Sequence, residues 1–169
     1  MSVLSGHDIR KLIDADPPLV EGYLDLDEQV QTNGFDLSLR DIAVIQSAGR
    51  VTAESAGRVI SDCSPLMFDG TGCIDLPAGT YIVTYNEIVH LPKHVIALGR
   101  PRSSLLRCGV TVGTAVWDAG YEGRSQSLLV VYNTMGFRLQ RNARITQLVF
   151  MELTGDSVGY NGFYQGENI

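Results

Sequence analysis

The sequence predicts a mainly β fold, a sandwich, jelly roll or barrel, entered through one short helix. Three observations predict it. Apolar residues alternate with polar ones, or cluster, in many short runs of strand length. Glycine and proline punctuate those runs at close intervals. A helical pattern is confined to the first residues.

Each element has its own reason. Ser5 is a candidate N-cap, and Asp8, three residues on, can complete a capping box. Ile9, Leu12 and Ile13 then share one face. Pro17-Pro18 ends this helical segment, taken as residues 1–16. Phe35, Leu37 and Leu39 alternate with Asp36, Ser38 and Arg40, as a strand requires. Further strands are expected over residues 80–85, 88–91, 95–98, 110–112, 128–132 and 147–153. The tail, residues 155–169, is rich in Gly, Asn and Tyr and is expected to be mobile without a ligand.

At 169 residues the chain is expected to form a single domain over its whole length. No apolar run approaches the ~18–20 residues that span a bilayer, so no membrane partner is expected. Residues 1–16 lack the basic-then-apolar layout of a secretory signal, and a cytoplasmic location is the expectation. The net charge of −6 argues against a nucleic acid polymer as partner. Cys63, Cys73 and Cys108 are scattered and odd in number, so they read as reduced packing thiols. Phosphate-loop, dinucleotide, zinc-hydrolase and nucleophile-elbow signatures are all absent from the sequence.

Against the acidic whole, residues 88–117 carry Lys93, Arg100, Arg102 and Arg107 and no Asp or Glu. A bound polyphosphate would explain that reversal. Arg102, Ser103, Ser104 and Arg107 are suitable donors, because guanidinium forks and hydroxyls make charge-assisted bonds to phosphate oxygens. The same residues also read as a polar strand-to-helix turn. Asp118 could orient and deprotonate a water, or could be a turn aspartate before Ala119-Gly120. Tyr121 could stack on a sugar or fill the core. Gln147 could contact a ligand from its strand or face solvent. The aromatics and glycines from Tyr160 to Gly166 could close over a nucleobase or fray.

The order of these segments resembles the dUTPase/dCTP deaminase superfamily, with most similarity to the archaeal-type dUTPases. Leu4–Ile13 looks like the opening helix of the deaminase-like branch, and residues 31–39 like the first shared motif, with Asp36 as its acid. Arg102-Ser103-Ser104-Leu105-x-Arg107-x-Gly109 is similar to the second motif, and Asp118-x-Gly120-Tyr121-x-Gly123 to the third. Arg144-Ile145-x-Gln147-Leu148 is similar to the fourth, and Tyr164-Gln165-Gly166 to the tail of this branch.

The resemblance implies a distorted β-barrel or jelly roll, assembled as a homotrimer with active sites shared between subunits. It implies Mg²⁺-dependent hydrolysis of dUTP, a deoxyuridine nucleotide, to dUMP and pyrophosphate. Ser103, Ser104 and Arg107 would hold phosphates, the last two from a neighbouring subunit, and Asp118 would position the attacking water. Tyr121 would pack beneath the deoxyribose, and the strand and turn from 110 to 117 would read the pyrimidine. Gln147 would support the phosphates, and Phe163 or Tyr164, next to Gln165, would cap the base. Mg²⁺ would bind mainly to phosphate oxygens and water rather than to protein ligands.

The related deaminases use a glutamate three residues before an Asn-like position. Counted back from Asn133, that position is Val130, flanked by Leu129 and Val131. An aliphatic residue cannot shuttle protons, so the hydrolase is favoured over a dCTP deaminase. A non-catalytic, regulatory nucleotide-binding barrel is the remaining alternative. The tail carries Phe163 where the deaminase-like branch often has Lys, and it lacks the Gly-Phe-Gly-Ser-Thr-Gly tail of the common trimeric dUTPases.

Overall fold

The computed structural model of the chain describes residues 2–169. It opens with helix α1, Gly6–Ile13. The capping box forms: Asp8 N donates to Ser5 Oγ at 3.3 Å, while Ser5 N donates back to Asp8 at 3.4 Å. The helix stops at Ile13, before Pro17-Pro18, through a turn at Asp14. Ile9 and Ile13 are its buried face.

Strands follow: β1 Val20–Glu21, then helix α2 Leu26–Gln29, β2 Val30–Gln31 and the long β3 Gly34–Ile45. After β4 Cys63–Pro65 and β5 Cys73–Leu76 come β6 Gly79–Tyr85, β7 Ile88–His90 and β8 Val95–Pro101. Helix α3, Ser103–Arg107, leads to β9 Val110–Gly113, β10 Val116–Trp117 and β11 Glu122–Gly123. The chain ends with β12 Gln126–Val131, β13 Phe137–Gln140, β14 Arg144–Glu152 and the tail.

The main sheet runs β10-β8-β14-β3-β6-β12-β9, with β2 and β4 also on β3. Strand β3 curls it. Phe35–Ser38 pair with β14, and Leu39–Val44 pair with β6, with a register shift between Leu39 and Asp41. Each half of one strand thus has a different neighbour, which wraps the sheet into a half-barrel. A second sheet, β1-β7-β11, carries the turn at residues 118–121. Core residues such as Phe35, Leu37, Leu39, Tyr85, Ile145, Leu148 and Phe150 are fully buried. Among the described residues no helix is long and apolar enough to cross a membrane.

Period two on β3 places Phe35, Leu37 and Leu39 in the core, but the other face is covered too. Asp36 and Ser38 are also buried. Glu87, 1% exposed, compensates Ser38: it accepts from Ser38 N at 2.9 Å, Ser38 Oγ at 2.5 Å and Gln29 Nε2 at 2.6 Å. Gln29 Nε2 also donates to the Asp36 carbonyl at 2.8 Å, which ties α2 to the start of β3. Burial pushes the Glu87 pKa up, and the Ser38 and Gln29 bonds pull it back.

Candidate active site

A cavity of about 240 Å³ opens between β10, the 118–121 turn, the start of β12 and the tail. Asp118, Tyr121, Ser125, Gln126, Tyr164 and Glu167 line it, with Trp117 on its wall. The turn explains Asp118 and Tyr121 together. Tyr121 N donates to the Asp118 carbonyl at 3.0 Å, and Gly120 between them holds φ +82°. A positive φ at that place is what a type II turn demands of its third residue. Asp118 is therefore a turn aspartate, and its exposed side chain also faces the cavity.

The floor is rigid. Trp117 Nε1 donates to Ser125 Oγ at 2.5 Å, and Tyr121 Oη lies 3.2 Å from the same oxygen. Tyr121 Oη donates to Glu167 Oε1 at 2.8 Å. Burial pushes the Tyr121 hydroxyl far above its ordinary pKa. Burial likewise raises Glu167, and the bond from Tyr121 offsets part of that rise.

The tail lies against the cavity mouth. Tyr160 N donates to the Ala119 carbonyl at 2.8 Å, and the Tyr160 ring meets Tyr121 edge-on at 5.7 Å. Gly166 N donates to the Glu122 carbonyl and Arg124 N to the Glu167 carbonyl, both at 2.9 Å. Gln165 holds the tail in place through the Gly120 carbonyl and Glu122 N, both at 3.2 Å, rather than lining the cavity. Phe163 is 74% exposed and stays outside, with Arg58 over its ring at 5.5 Å. Tyr164 and Tyr160 are the tail aromatics that line the cavity.

The phosphate-type residues sit elsewhere on the chain. Ser103, Ser104 and Arg107 are exposed on α3, beyond the end of β8, and none lines the cavity. Arg102 Nε lies 3.3 Å from Asp36 Oδ2, and Arg144 Nη1 lies 3.8 Å from the same oxygen. The Asp36 side chain is 1% exposed, and neither of its oxygens has a hydrogen-bond partner among the described residues. Burial raises its pKa, and Arg102 and then Arg144 pull it down. Gln147 stands opposite Asp36 in the β14–β3 register, its amide folded across Gly34. One chain thus brings Asp118, Tyr121 and Tyr164 together and gathers Arg102, Asp36 and Gln147 separately.

The sequence reading missed Ser125, Gln126 and Glu167. Ser125 and Gln126 carried no motif. Glu167 lies two residues beyond Gln165, and only the fold brings it to Tyr121. The position counted for a deaminase acid, Val130, lies on β12 between Thr80 and Thr111, with Leu129 and Val131 buried.

Residues 3–153 match the dCTP deaminase-like family, which covers most of the chain. The chain belongs to that family. It is 51% identical over 169 residues to the probable deoxyuridine 5'-triphosphate nucleotidohydrolase of Methanosarcina mazei, covering 99% of each. The Archaeoglobus fulgidus protein of the same description is 47% identical over 169 residues, covering 100% of this chain and 99% of that one. Among solved structures, the 2'-deoxycytidine 5'-triphosphate deaminase from Agrobacterium tumefaciens matches with TM-score 0.66 and 26% identity, over 88% of this chain and 48% of that chain. This family member therefore spans about half the length of that deaminase. The EIAV dUTPase, at 16% identity and TM-score 0.52 over 85% of this chain and 95% of that one, shares the fold.

Proposed function

We propose that this protein hydrolyses dUTP to dUMP and pyrophosphate in the cytoplasm. The observation that carries the reading is the cavity lined by Asp118 and Tyr121 from one motif-three turn. The full-length relatives named for this activity support it. Asp118 orients a water and takes its proton as the water oxygen bonds to the α-phosphorus. The α-phosphorus then releases pyrophosphate through the breaking phosphoanhydride bond. Positioning and charge stabilisation carry most of the rate.

The cavity suits a nucleoside rather than a whole nucleotide. Its volume, about 240 Å³, falls below the roughly 300–1,000 Å³ of sites that bury drug-sized ligands. The charged side chains that line it are Asp118 and Glu167, both acids. A triphosphate therefore needs cations from outside it. Arg107 of a neighbouring subunit, in a homotrimer, would supply one, with Ser104 of the same subunit adding a hydroxyl donor. Ser103, Arg102 and Gln147 would complete the phosphate side, with Tyr164, or Phe163 after a movement of the tail, over the base.

Mg²⁺ fits this donor set. Asp118 offers one exposed carboxylate, and among the described residues no group of three His, Cys, Asp or Glu could hold a metal ion. An ion that keeps its waters and binds chiefly through substrate phosphates needs no more. When bound, it would screen the phosphate charge.

Pyrophosphate release from dUTP with Mg²⁺, run beside dCTP with ammonia detection, tests the reading. Pyrophosphate without ammonia supports the hydrolase. Ammonia from dCTP would assign a deaminase, for which β12 supplies no acid. Tight dUTP binding without turnover would assign a regulatory barrel.

A further inference from the structure

The tail runs beside β11 as an added parallel segment, with Gly123 and Glu167 bridged. Its backbone bonds account for docking. They do not account for the Glu167 side chain, which is half-buried and turns into the cavity. A carboxylate next to an anionic substrate is unfavourable unless it does something there. Here it accepts the Tyr121 hydroxyl at 2.8 Å.

That bond ties down the hydroxyl end of the Tyr121 ring, whose body packs in the core and edge-on against Tyr160. The ring is 6% exposed. Among the described residues its hydroxyl has one other hydrogen-bond partner, Ser125 Oγ at 3.2 Å, and that oxygen already receives Trp117 Nε1 at 2.5 Å. Glu167 is thus the stronger of two anchors on the hydroxyl. The ring lines a cavity of about 240 Å³, so for a sugar seated against it the ring's position would set the room for one extra hydroxyl.

We propose that Glu167 is a positioning residue. By holding the Tyr121 hydroxyl it fixes the cavity wall that meets the sugar, and so sets the preference for deoxyribose over ribose nucleotides. The inference rests on the dUTP reading above. It also couples selectivity to the tail, because the residue that fixes the ring arrives only when the tail is docked.

The experiment measures kcat/KM for dUTP and for UTP in the full-length wild type and in Glu167→Ala, Glu167→Gln and Tyr121→Phe. Losing one anchoring hydrogen bond to a charged group should lower the dUTP/UTP ratio roughly tenfold in Glu167→Ala. Glu167→Gln keeps an acceptor oxygen and should hold the ratio within about threefold of wild type. Tyr121→Phe should fall at least as far as Glu167→Ala, because it removes the bond to Glu167 together with the contact to Ser125, and adding Glu167→Ala to it should lower the ratio no further. An unchanged ratio in Glu167→Ala, with wild type active on dUTP, overturns the inference and leaves the dUTP reading standing. Should that variant not fold, an unchanged ratio in Tyr121→Phe does the same. A wild type inactive on dUTP overturns both.

Discussion

Replacing Gly123 by alanine isolates how tightly the site is built. Gly123 does not have a positive φ, so alanine meets no backbone penalty there. The whole effect is therefore space. A Cβ at Gly123 would stand 2.5 Å from Tyr121 Oη, 2.9 Å from Cζ and 3.2 Å from Glu167 Cγ. Ordinary contact begins at 3.4 Å, so the hydroxyl must retreat by 3.4 − 2.5 = 0.9 Å. It has nowhere to go without leaving Glu167 or Ser125. Overpacking of this kind costs about 1–3 kcal/mol, and a lost hydrogen bond about 1 kcal/mol more. We expect destabilisation of about 3 kcal/mol, read as a fall of roughly 6–12 °C in the thermal midpoint. A displacement near 1 Å in a positioning residue can cost ~100-fold in rate. Calorimetry and pyrophosphate release at matched protein concentration measure both. Combining Gly123→Ala with Tyr121→Phe removes the closest clash and should restore part of the loss. If Gly123→Ala were as stable and as active as wild type, the contact between Gly123 and the Tyr121 hydroxyl would carry no weight, and the rigid-floor argument would fall.

The other expectations are simpler. Asp118→Asn should bind dUTP within about threefold of wild type and lose 10²–10⁴-fold in pyrophosphate release, since an amide cannot take the proton. Mixing inactive Asp118→Asn with inactive Arg107→Ala and exchanging subunits should restore activity if one site draws on two chains; a site built within one chain would give none. Glu87→Gln turns an NH₂ toward Ser38 N or toward the Gln29 and Ser38 donors, so it should cost about 1–3 kcal/mol in urea unfolding. The sign of its pH dependence follows from burial. Because the folded pKa is raised above 4.5, the stability from neutral Glu87 is complete below that value and is lost as pH rises through the folded one. Wild type should therefore gain on Glu87→Gln as the pH falls into that window, and a gap that widened with rising pH would contradict the assignment.

Much of the fold was legible because its signals are local. The capping box at Ser5 and Asp8, the alternation at Phe35, Leu37 and Leu39, and the longer apolar strands are properties of neighbouring residues. The short pair β5 and β13 was not legible, since Cys73–Leu76 and Phe137–Gln140 have mixed composition and stabilise each other only after folding. The same divide runs through the site. Asp118 and Tyr121 were visible because one turn fixes both. Glu167 was invisible because it lies 46 positions from Tyr121 in sequence. Burial of Asp36 on the strand face that alternation leaves to polar groups was also unreadable, because it depends on Arg102 and Arg144 arriving from other elements.

The spacing Asp118-x-Gly120-Tyr121-x-Gly123 has a physical cause at each position. Asp118 opens the turn and faces the cavity. Gly120 takes the positive φ, and it also leaves room for the tail: a Cβ there would lie 2.8 Å from Gly159 Cα. Tyr121 follows at once, so the turn bond from its own N–H fixes its backbone to that of Asp118. Gly123, two residues further, leaves open the space that the Tyr121 hydroxyl fills and past which Glu167 reaches it. The two glycines therefore serve one end. Each removes a side chain so that the tail can approach the turn closely enough to fix the tyrosine. A site built this way reaches its final geometry only with the tail in place, and its acidic lining calls for the phosphate-binding cations to come from beyond the cavity.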